Sequence, residues 1–190
     1  MKPEELYAQF PRLESKNLVL RDLVPKDAGA LFHIFSDPEV TRYYDLETFQ
    51  TMAEARELIE HFNNRFLKRF GIRWGIARKE TPDTLIGTCG YNIWIHSSCR
   101  AIVGYDLGRA HWGQGIMSEA LERVLAFGFG TMELNRIEAA VFPDNIPSHR
   151  LLKKLGFQRE GVLREYEFLK GEFVDLTMYS LLRREAVIDR

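Results

Sequence analysis

The stretch that decides the fold reads Arg100-Ala-Ile-Val-Gly-Tyr-Asp-Leu107-Gly-Arg-Ala-His-Trp-Gly-Gln-Gly115-Ile-Met-Ser-Glu-Ala-Leu121. Its first eight residues predict a strand, and apolar residues at helical spacing predict a helix after Gly115, namely Met117, Ala120, Leu121 and Val124. Glycines at such a junction let a ligand approach the main chain, and the first helical turn offers unpaired N–H groups. The junction therefore predicts an anion site for a phosphate or pyrophosphate.

Two other interpretations of this glycine turn stay open at this point. Two glycines near a helix start can form a tight turn and nothing more. Gly113-x-Gly115-x-x-Ser118 also resembles an imperfect dinucleotide fingerprint, with Glu138 about twenty residues further on, where a ribose-binding acid is expected. That fingerprint belongs to a repeated βαβ series, which the flanking pattern lacks. A Walker-type loop is excluded because no Gly-Lys-Ser or Gly-Lys-Thr follows the turn.

The flanking segments predict a mixed sheet. A strand at 17–22 and two helices, from Pro25 and from Thr51 through Phe70 to a stop at Gly71, come first. Short connections then join antiparallel β-rich runs: Trp74–Arg78, Leu85–Ile95 and Arg100–Leu107. After the central helix come a strand, a helix and a hairpin: Arg136–Phe142, Asn145–Leu155, and Val162–Phe168 with Glu172–Leu182. The order β-α-α-β-β-β-α-β-α-β-β predicts an α/β chain whose twisted, mostly antiparallel sheet has one βαβ crossover and flanking helices.

Composition bounds the class of protein. The 190 residues predict a single domain, with an N-terminal extension over 1–12 and a core over about 13–183. Because 26 basic residues nearly balance 27 acidic ones, no net field exists to hold nucleic acid. No apolar run reaches membrane-spanning length, and the acidic N-terminus lacks the core of a signal peptide. We therefore expect a cytoplasmic protein with no membrane partner and no direct nucleic-acid partner.

Cysteine and histidine give no metal signal. Cys89 and Cys99 have neither metal-ligand spacing nor the look of a disulfide framework, so we expect two buried strand residues in a reducing compartment. The five histidines likewise show no metal spacing. No metal cofactor is expected.

Four ordered blocks of the sequence resemble the GNAT acetyltransferase superfamily: Gly104–Leu121, Leu134–Glu138, Asn145–Ser148 and Leu155–Gly161. More narrowly, they resemble the Rim-type branch, which acetylates N-terminal amines of ribosomal proteins. The match runs from about Leu13 to Leu182, nearly the whole chain. The resemblance implies a GNAT-type acyl-CoA N-acyltransferase fold, acetyl-CoA as cosubstrate, an amine acceptor and a homodimer.

The resemblance also implies cofactor contacts. In the superfamily, the CoA pyrophosphate lies on main-chain N–H groups of a turn that corresponds here to Trp112, Gly113, Gln114, Gly115, Ile116 and Met117, with Ser118 next in the helix. Trp112 departs from the usual basic or amide residue, and Met117 departs from the usual small residue. Leu107 and Gly108 would present strand backbone to the pantetheine arm. Asn145 would hydrogen-bond that arm, and it is equally a preferred helix N-cap, so the two roles can coexist.

Catalytic residues are carried over in the same way. Many superfamily members protonate the departing thiolate with a tyrosine seven residues after the asparagine, but that position is Leu152 here. The Rim-type pattern gives the acid role to a serine at Ser148 and the base role to a glutamate at Glu167. A helix-start hydroxyl and a solvated hairpin carboxylate are the plain alternatives. Glu119 and Asp106 are reserve carboxylates.

The acceptor amine is the least determined feature. A free α-amine has a pKa of about 8 and lysine about 10.4, so a site with few acid-base groups suits an N-terminal α-amine. The resemblance to the Rim-type branch implies the N-terminus of a ribosomal protein. One alternative is a small amine such as a polyamine, an amino acid or an aminoglycoside. Another is a CoA-binding module without turnover. An acidic pocket would favour a polyamine, and an open groove would favour a peptide.

Overall fold

A computed structural model describes residues 9–186 of the chain. Its strands are β1 (Leu13–Glu14), β2 (Leu18–Arg21), β3 (Ile72–Arg78), β4 (Thr81–Ile95), β5 (Arg100–Leu107), β6 (Arg136–Val141), β7 (Gln158–Leu169) and β8 (Glu172–Leu182). Its helices are α1 (Ala28–Phe35), α2 (Pro38–Thr41), α3 (Met52–Leu67), α4 (Ile116–Gly130) and α5 (Ile146–Lys154).

The eight strands form one sheet in the order β1-β2-β3-β4-β5-β6-β8-β7. Neighbouring strands are antiparallel except β5 and β6, which are parallel and are joined through α4. A parallel pair needs such a crossover, because its second strand must start at the same end as the first. The structure confirms the predicted mixed sheet with one βαβ crossover.

Strands β5 and β6 are paired over only the first part of their length. They pair only from Arg100 to Ile102 in β5, opposite Arg136 to Glu138 in β6. Beyond that point β6 continues to pair with β8 as far as Val141, and β5 continues to pair with β4. The two strands therefore diverge toward their C-terminal ends and leave a wedge. Unpaired main-chain groups of β5 line one wall of this wedge.

Both faces of the sheet bury apolar side chains. One face packs against α4 and α5 around Trp74, Phe129 and Leu152. The other packs against α1 and α3 around Phe35 and Phe62. The apolar residues that predicted the helix α3 make this contact, and a capping box between Thr51 and Glu54 starts the helix.

Several element bounds differ from the sequence predictions. Helix α3 ends at Leu67, and Phe70 lies outside it with 59% of its surface exposed. The chain reverses at Arg69, whose φ is 62°, rather than at Gly71.

The short helix α2 was not predicted. It forms because Asp37 accepts a hydrogen bond from the Glu39 amide. Strand β4 begins at Thr81, since Thr81 pairs with Arg78 across a two-residue turn.

The two cysteines differ from each other. Cys89 is buried in β4, as predicted. The prediction for Cys99 is wrong, because Cys99 is exposed and has a left-handed φ of 46° at the end of a 3-10 turn that leads into β5.

Of the predicted N-terminal extension over 1–12, residues 1–8 lie outside the described residues. Phe10 packs against Phe66 and Trp74 of the core.

Candidate active site

The glycine turn ahead of α4 is open and rich in unpaired donors. Gly113 and Gly115 have φ values of 72° and 77°, and a Cβ at either would meet nothing within 4 Å. The amides from Gly113 to Ser118 have no hydrogen-bond acceptor among the described residues. The Ser118 hydroxyl is buried and also lacks a partner. Together with the positive end of α4, this arrangement fits a bound diphosphate.

The side chains of Trp112 and Gln114 connect the glycine turn to neighbouring segments by hydrogen bonds. Trp112 Nε1 donates to the Leu107 carbonyl at 2.7 Å. Gln114 accepts from Arg78 Nη2 at 2.7 Å and donates to the Ala110 carbonyl at 2.9 Å. The Ile116 and Met117 side chains are buried in the core. Met117 therefore leaves the open side of the turn free, although it replaces a small residue.

The end of β5 directs main-chain groups into the wedge. The Gly108 amide donates to the Ile86 carbonyl of β4 at 2.9 Å, so it is already engaged. Successive residues of a strand point their amides to opposite sides. The amides of Leu107 and Tyr105 accordingly face away from β4, toward the wedge. The Leu107 carbonyl on the same side is the one bound by Trp112.

The start of α5 closes the other side of the wedge. Asn145 is the N-cap, and its Oδ1 accepts from the Ser148 amide at 3.3 Å. The cap role is therefore filled by the oxygen, while the side-chain NH₂ group remains available to a ligand. Ser148 is half-buried in the first turn. Leu152, one turn later, is fully buried in the core.

Sequence reasoning missed three residues here. The Tyr105 hydroxyl is buried close to the Ser148 hydroxyl and has no hydrogen-bond partner among the described residues. Burial raises the pKa of Tyr105 to about 12, and the Ser148 hydroxyl acts in the opposite direction. His149 Nε2 donates to the Pro143 carbonyl at 3.1 Å, and Nδ1 shares a hydrogen bond of 2.8 Å with the Tyr179 hydroxyl. Strand alternation could have found Tyr105, which shares its face with Leu107.

Glu167 lies apart from this cluster on the β7–β8 hairpin. It is exposed and pairs with Val174, so it shares the sheet face of Leu176 and Met178. Within the range 9–186 no hydrogen bond or ion pair joins it to Ser148. The tip of the hairpin is tied to α2, since Lys170 Nζ donates to the Thr41 carbonyl at 2.6 Å.

The two reserve carboxylates are both engaged structurally. Glu119 accepts hydrogen bonds from Ser15 Oγ and from the amide and side chain of Asn17. Burial opposes ionisation of Glu119, but these hydrogen bonds outweigh it and lower its pKa. Asp106 is buried against Arg73 and Thr88, and burial raises its pKa despite both partners. Neither carboxylate is free to act as a base.

A cavity of about 500 Å³ lies between α3, the loop 44–49 and strands β3 and β4. Arg73, which is buried, and Asn92, which is exposed, both line it, and a Cβ on Gly104 of β5 would come within 3 Å of both side chains. The cavity therefore adjoins the strand that borders the wedge. Its rim carries four carboxylates: Asp45, Glu47, Glu54 and Glu57. Glu54 serves the capping box, and within residues 9–186 the other three carboxylates have no hydrogen bond or ion pair.

Within residues 9–186 no group of three or more potential metal ligands is assembled. In the same range, no helix is both long and apolar enough to span a bilayer.

Comparison with known proteins identifies similar chains. A sequence model of an acetyltransferase (GNAT) domain matches residues 17–158. The chain is 46% identical over 173 residues to the uncharacterized N-acetyltransferase p20 of Bacillus licheniformis, covering 91% of this chain and 97% of p20. It is 32% identical over 103 residues to the ribosomal protein uS5-alanine N-acetyltransferase of Escherichia coli, covering 53% of each. RimL, a ribosomal alpha-N-protein acetyltransferase solved with coenzyme A, shares the fold with a TM-score of 0.81 at 20% identity, covering 90% of this chain and 98% of RimL.

Proposed function

The chain belongs to the GNAT acetyltransferase family, and we propose that this N-acetyltransferase moves the acetyl group of acetyl-CoA to the α-amine of a protein N-terminus. The ribosomal N-acetyltransferases among its relatives support the Rim-type branch. One observation carries the cofactor half of the proposal. It is the run of unpaired amides from Gly113 to Ser118, placed where β5 ends and the wedge begins.

The cofactor fits the wedge in a definite order. The amides of the turn and the buried Ser118 hydroxyl would hold the diphosphate, because they are donors without acceptors. The pantetheine arm would then run along β5, where the amides of Leu107 and Tyr105 face the wedge. The side-chain NH₂ of Asn145 would hold the arm from the opposite wall. The thioester thereby reaches the region of Ser148.

The chemistry asks for three roles. A neutral amine attacks the thioester carbonyl, a donor stabilises the developing oxyanion, and an acid protonates the departing thiolate. Ser148 would supply the acid, since its hydroxyl lies on the wall of the wedge. Glu167 would take the proton from the amine, directly or through water, when the hairpin and acceptor come together. The strand amides of β5 would polarise the carbonyl.

The choice of acceptor follows from the lack of a free carboxylate near Ser148 that could deprotonate the amine. Glu119 and Asp106 are engaged, and Glu167 is exposed on the hairpin, so no carboxylate stands ready beside Ser148. An α-amine is neutral at pH 7 several hundred times (~10²·⁵) more often than lysine. Such an acceptor needs less help from a base. The uS5-alanine acetyltransferase of E. coli carries the same kind of acceptor in its name.

The test is an acceptor panel with acetyl-CoA, read by thiol release and product mass. One peptide has a free N-terminus and no lysine. A matched peptide has a blocked N-terminus and one internal residue replaced by lysine, and is otherwise identical. We expect acetylation of the first peptide only. Acetylation of the lysine peptide, or of small amines alone, would contradict the proposed acceptor.

The acidic rim supports a second candidate, a small cationic amine. Asp45, Glu47 and Glu57 surround a cavity of about 500 Å³, a size that suits a small ligand. Carboxylates attract a second ammonium group of a di- or polyamine. Including a polyamine and its mono-amine counterpart in the same panel separates the candidates, because only the polyamine uses the rim. A polyamine turned over much faster than any peptide would favour this second candidate.

A further inference from the structure

The Tyr105 hydroxyl is a buried polar group with no partner among the described residues. The other buried tyrosines are satisfied, since Tyr91 Oη donates to the Val124 carbonyl at 2.8 Å and the Tyr179 hydroxyl shares a hydrogen bond with His149 Nδ1. A buried hydroxyl without a protein partner costs free energy, and a catalytic role is one of the recognised explanations for such a group. The Tyr105 hydroxyl is therefore available to donate a hydrogen bond.

The residues around Tyr105 identify the Ser148 hydroxyl as the acceptor of this hydrogen bond. Tyr105 and Leu107 share the face of β5 that looks toward α5. Ser148 lies on the first turn of α5, and Leu152 lies one turn later on the same side of the helix. The Ser148 hydroxyl is the neighbour of Tyr105 Oη. Because the phenol stays protonated at neutral pH, it can donate to Ser148 but will not accept a proton from it.

We propose that Tyr105 is a positioning residue for proton transfer to the departing thiolate. With the cofactor bound, Tyr105 Oη donates to Ser148 Oγ, and the hydrogen of Ser148 is thereby directed at the thioester sulfur. This inference rests on the proposed role of Ser148 as the proton donor. Leu152, which stands where related enzymes carry a phenol, is fully buried and contributes no proton. Tyr105 brings a phenol to the same end of the wedge from the neighbouring strand.

The step balances with water as the only additional reactant. As the C–S bond breaks, its electron pair passes to sulfur, and the Ser148 hydrogen moves to that sulfur. The charge that develops on Ser148 Oγ is held by the hydrogen bond from Tyr105. Ser148 then regains a proton from water, which in turn receives the proton released by the attacking amine. Tyr105 keeps its own proton throughout.

A double-mutant cycle with Ser148→Ala and Tyr105→Phe tests the inference. We expect Ser148→Ala and Tyr105→Phe each to lower kcat for thiol release at least tenfold (~10¹), with KM for acetyl-CoA changed less than about twofold. In the Ser148→Ala background, Tyr105→Phe should change kcat less than about twofold, since it acts through Ser148. An unchanged kcat in Tyr105→Phe, or an equal loss in both backgrounds, would overturn the inference.

Tyr91→Phe is the matched control for loss of a buried hydroxyl. It deletes the same atom elsewhere in the sheet, but from a group that has a partner, the Val124 carbonyl. Tyr91→Phe should lower the melting temperature and leave kcat unchanged. Tyr105→Phe should do the reverse, keeping or raising the melting temperature while kcat falls. A Tyr105→Phe protein that loses stability and activity in parallel would show a structural role only.

Two readouts keep this inference separate from the proposed acceptor. The cycle is run both with the best acceptor of the panel and on acceptor-free hydrolysis of acetyl-CoA, which needs the same proton on sulfur. If α-amines fail while the cycle holds, the acceptor proposal falls and the Tyr105 inference stands. A crystal structure of the CoA complex should show Tyr105 Oη about 2.8 Å from Ser148 Oγ. A separation above about 4 Å there would overturn the inference.

Discussion

Trp112 Nε1 donates a hydrogen bond of 2.7 Å to the main-chain carbonyl of Leu107. The bond joins the first residue of the glycine turn to the last residue of β5, so it helps to hold the turn beside the wedge. Trp112 thus has a structural task at a position where the superfamily usually carries a basic or amide side chain. It fixes the unpaired amides relative to the strand along which the cofactor arm would run.

Replacing Gly115 tests the phosphate turn. Gly115→Val should weaken CoA binding at least tenfold, about 1.4 kcal/mol, because a β-branched residue resists a φ of 77° and tilts the amides. Gly171→Val is the control, since Gly171 also has a left-handed φ, 87°, and open space around it, but lies on the hairpin. Calorimetric titration with CoA gives both affinities. Equal affinities in the two variants would contradict the assignment.

Asn145 can be divided into its two roles. Asn145→Asp keeps the oxygen that caps α5 but removes the NH₂ donor, whereas Asn145→Ala removes both. Both variants should bind CoA more weakly than the wild type. Only Asn145→Ala should lose stability, about 1 kcal/mol or roughly 2–4 °C in melting temperature. If Asn145→Asp binds CoA as well as the wild type does, Asn145 is a cap alone.

Glu167 is tested as a base by a charge-neutral change. Glu167→Gln should lower kcat at least tenfold (~10¹) and leave CoA affinity unchanged, because the side chain would act on the acceptor amine. Glu165→Gln makes the same change of charge on the same strand and should keep wild-type turnover. Steady-state rates across pH 6–9 provide the measurement. Matching rates for the two variants would remove Glu167 from the mechanism.

Glu119 should link stability to pH. Hydrogen bonds from Asn17 and Ser15 hold its pKa below its usual value of 4.5, so its contribution to stability is complete above pH 4.5 and is lost as pH falls below it. Glu119→Gln should therefore melt below the wild type at pH 7, with the gap closing toward pH 3. Glu122→Gln, an exposed neighbour on α4, should show no such gap. Thermal melts as a function of pH decide the matter, and a gap independent of pH would argue against this linkage.

The acidic rim should act on cationic acceptors only. The triple variant Asp45→Asn, Glu47→Gln and Glu57→Gln should raise KM for a diamine by about tenfold, at about 0.5 kcal/mol for each exposed charge. KM for a mono-amine of similar length should change little, and added salt should narrow the difference. Glu54 is left intact because it caps α3. A similar rise for both amines would mean that the rim shapes the cavity and does not select charge.

The sequence by itself determined the local features. Apolar spacing gave α3 and α4, and the short connections gave the antiparallel order of β3, β4 and β5. Glycines ahead of a helix predicted the turn that does present unpaired amides. These features depend on residues close together in the chain, where periodicity and turn chemistry are informative. The misplaced end of α3 and the exposed Cys99 show that bounds and burial are less certain.

Only the tertiary structure decided which side chains meet. Tyr105 and Ser148 come from β5 and α5, and their contact depends on how far β5 and β6 diverge. The sequence leaves Asp106 and Glu119 as candidate free carboxylates. In the structure, Asp106 is bound by Arg73 and Thr88. Glu119 is bound by Ser15 and Asn17, which lie about a hundred residues away in the chain. Such partners cannot be read from spacing along the chain. Packing of the sheet against its helices sets them, because a buried polar group takes its partner from whatever lies against it.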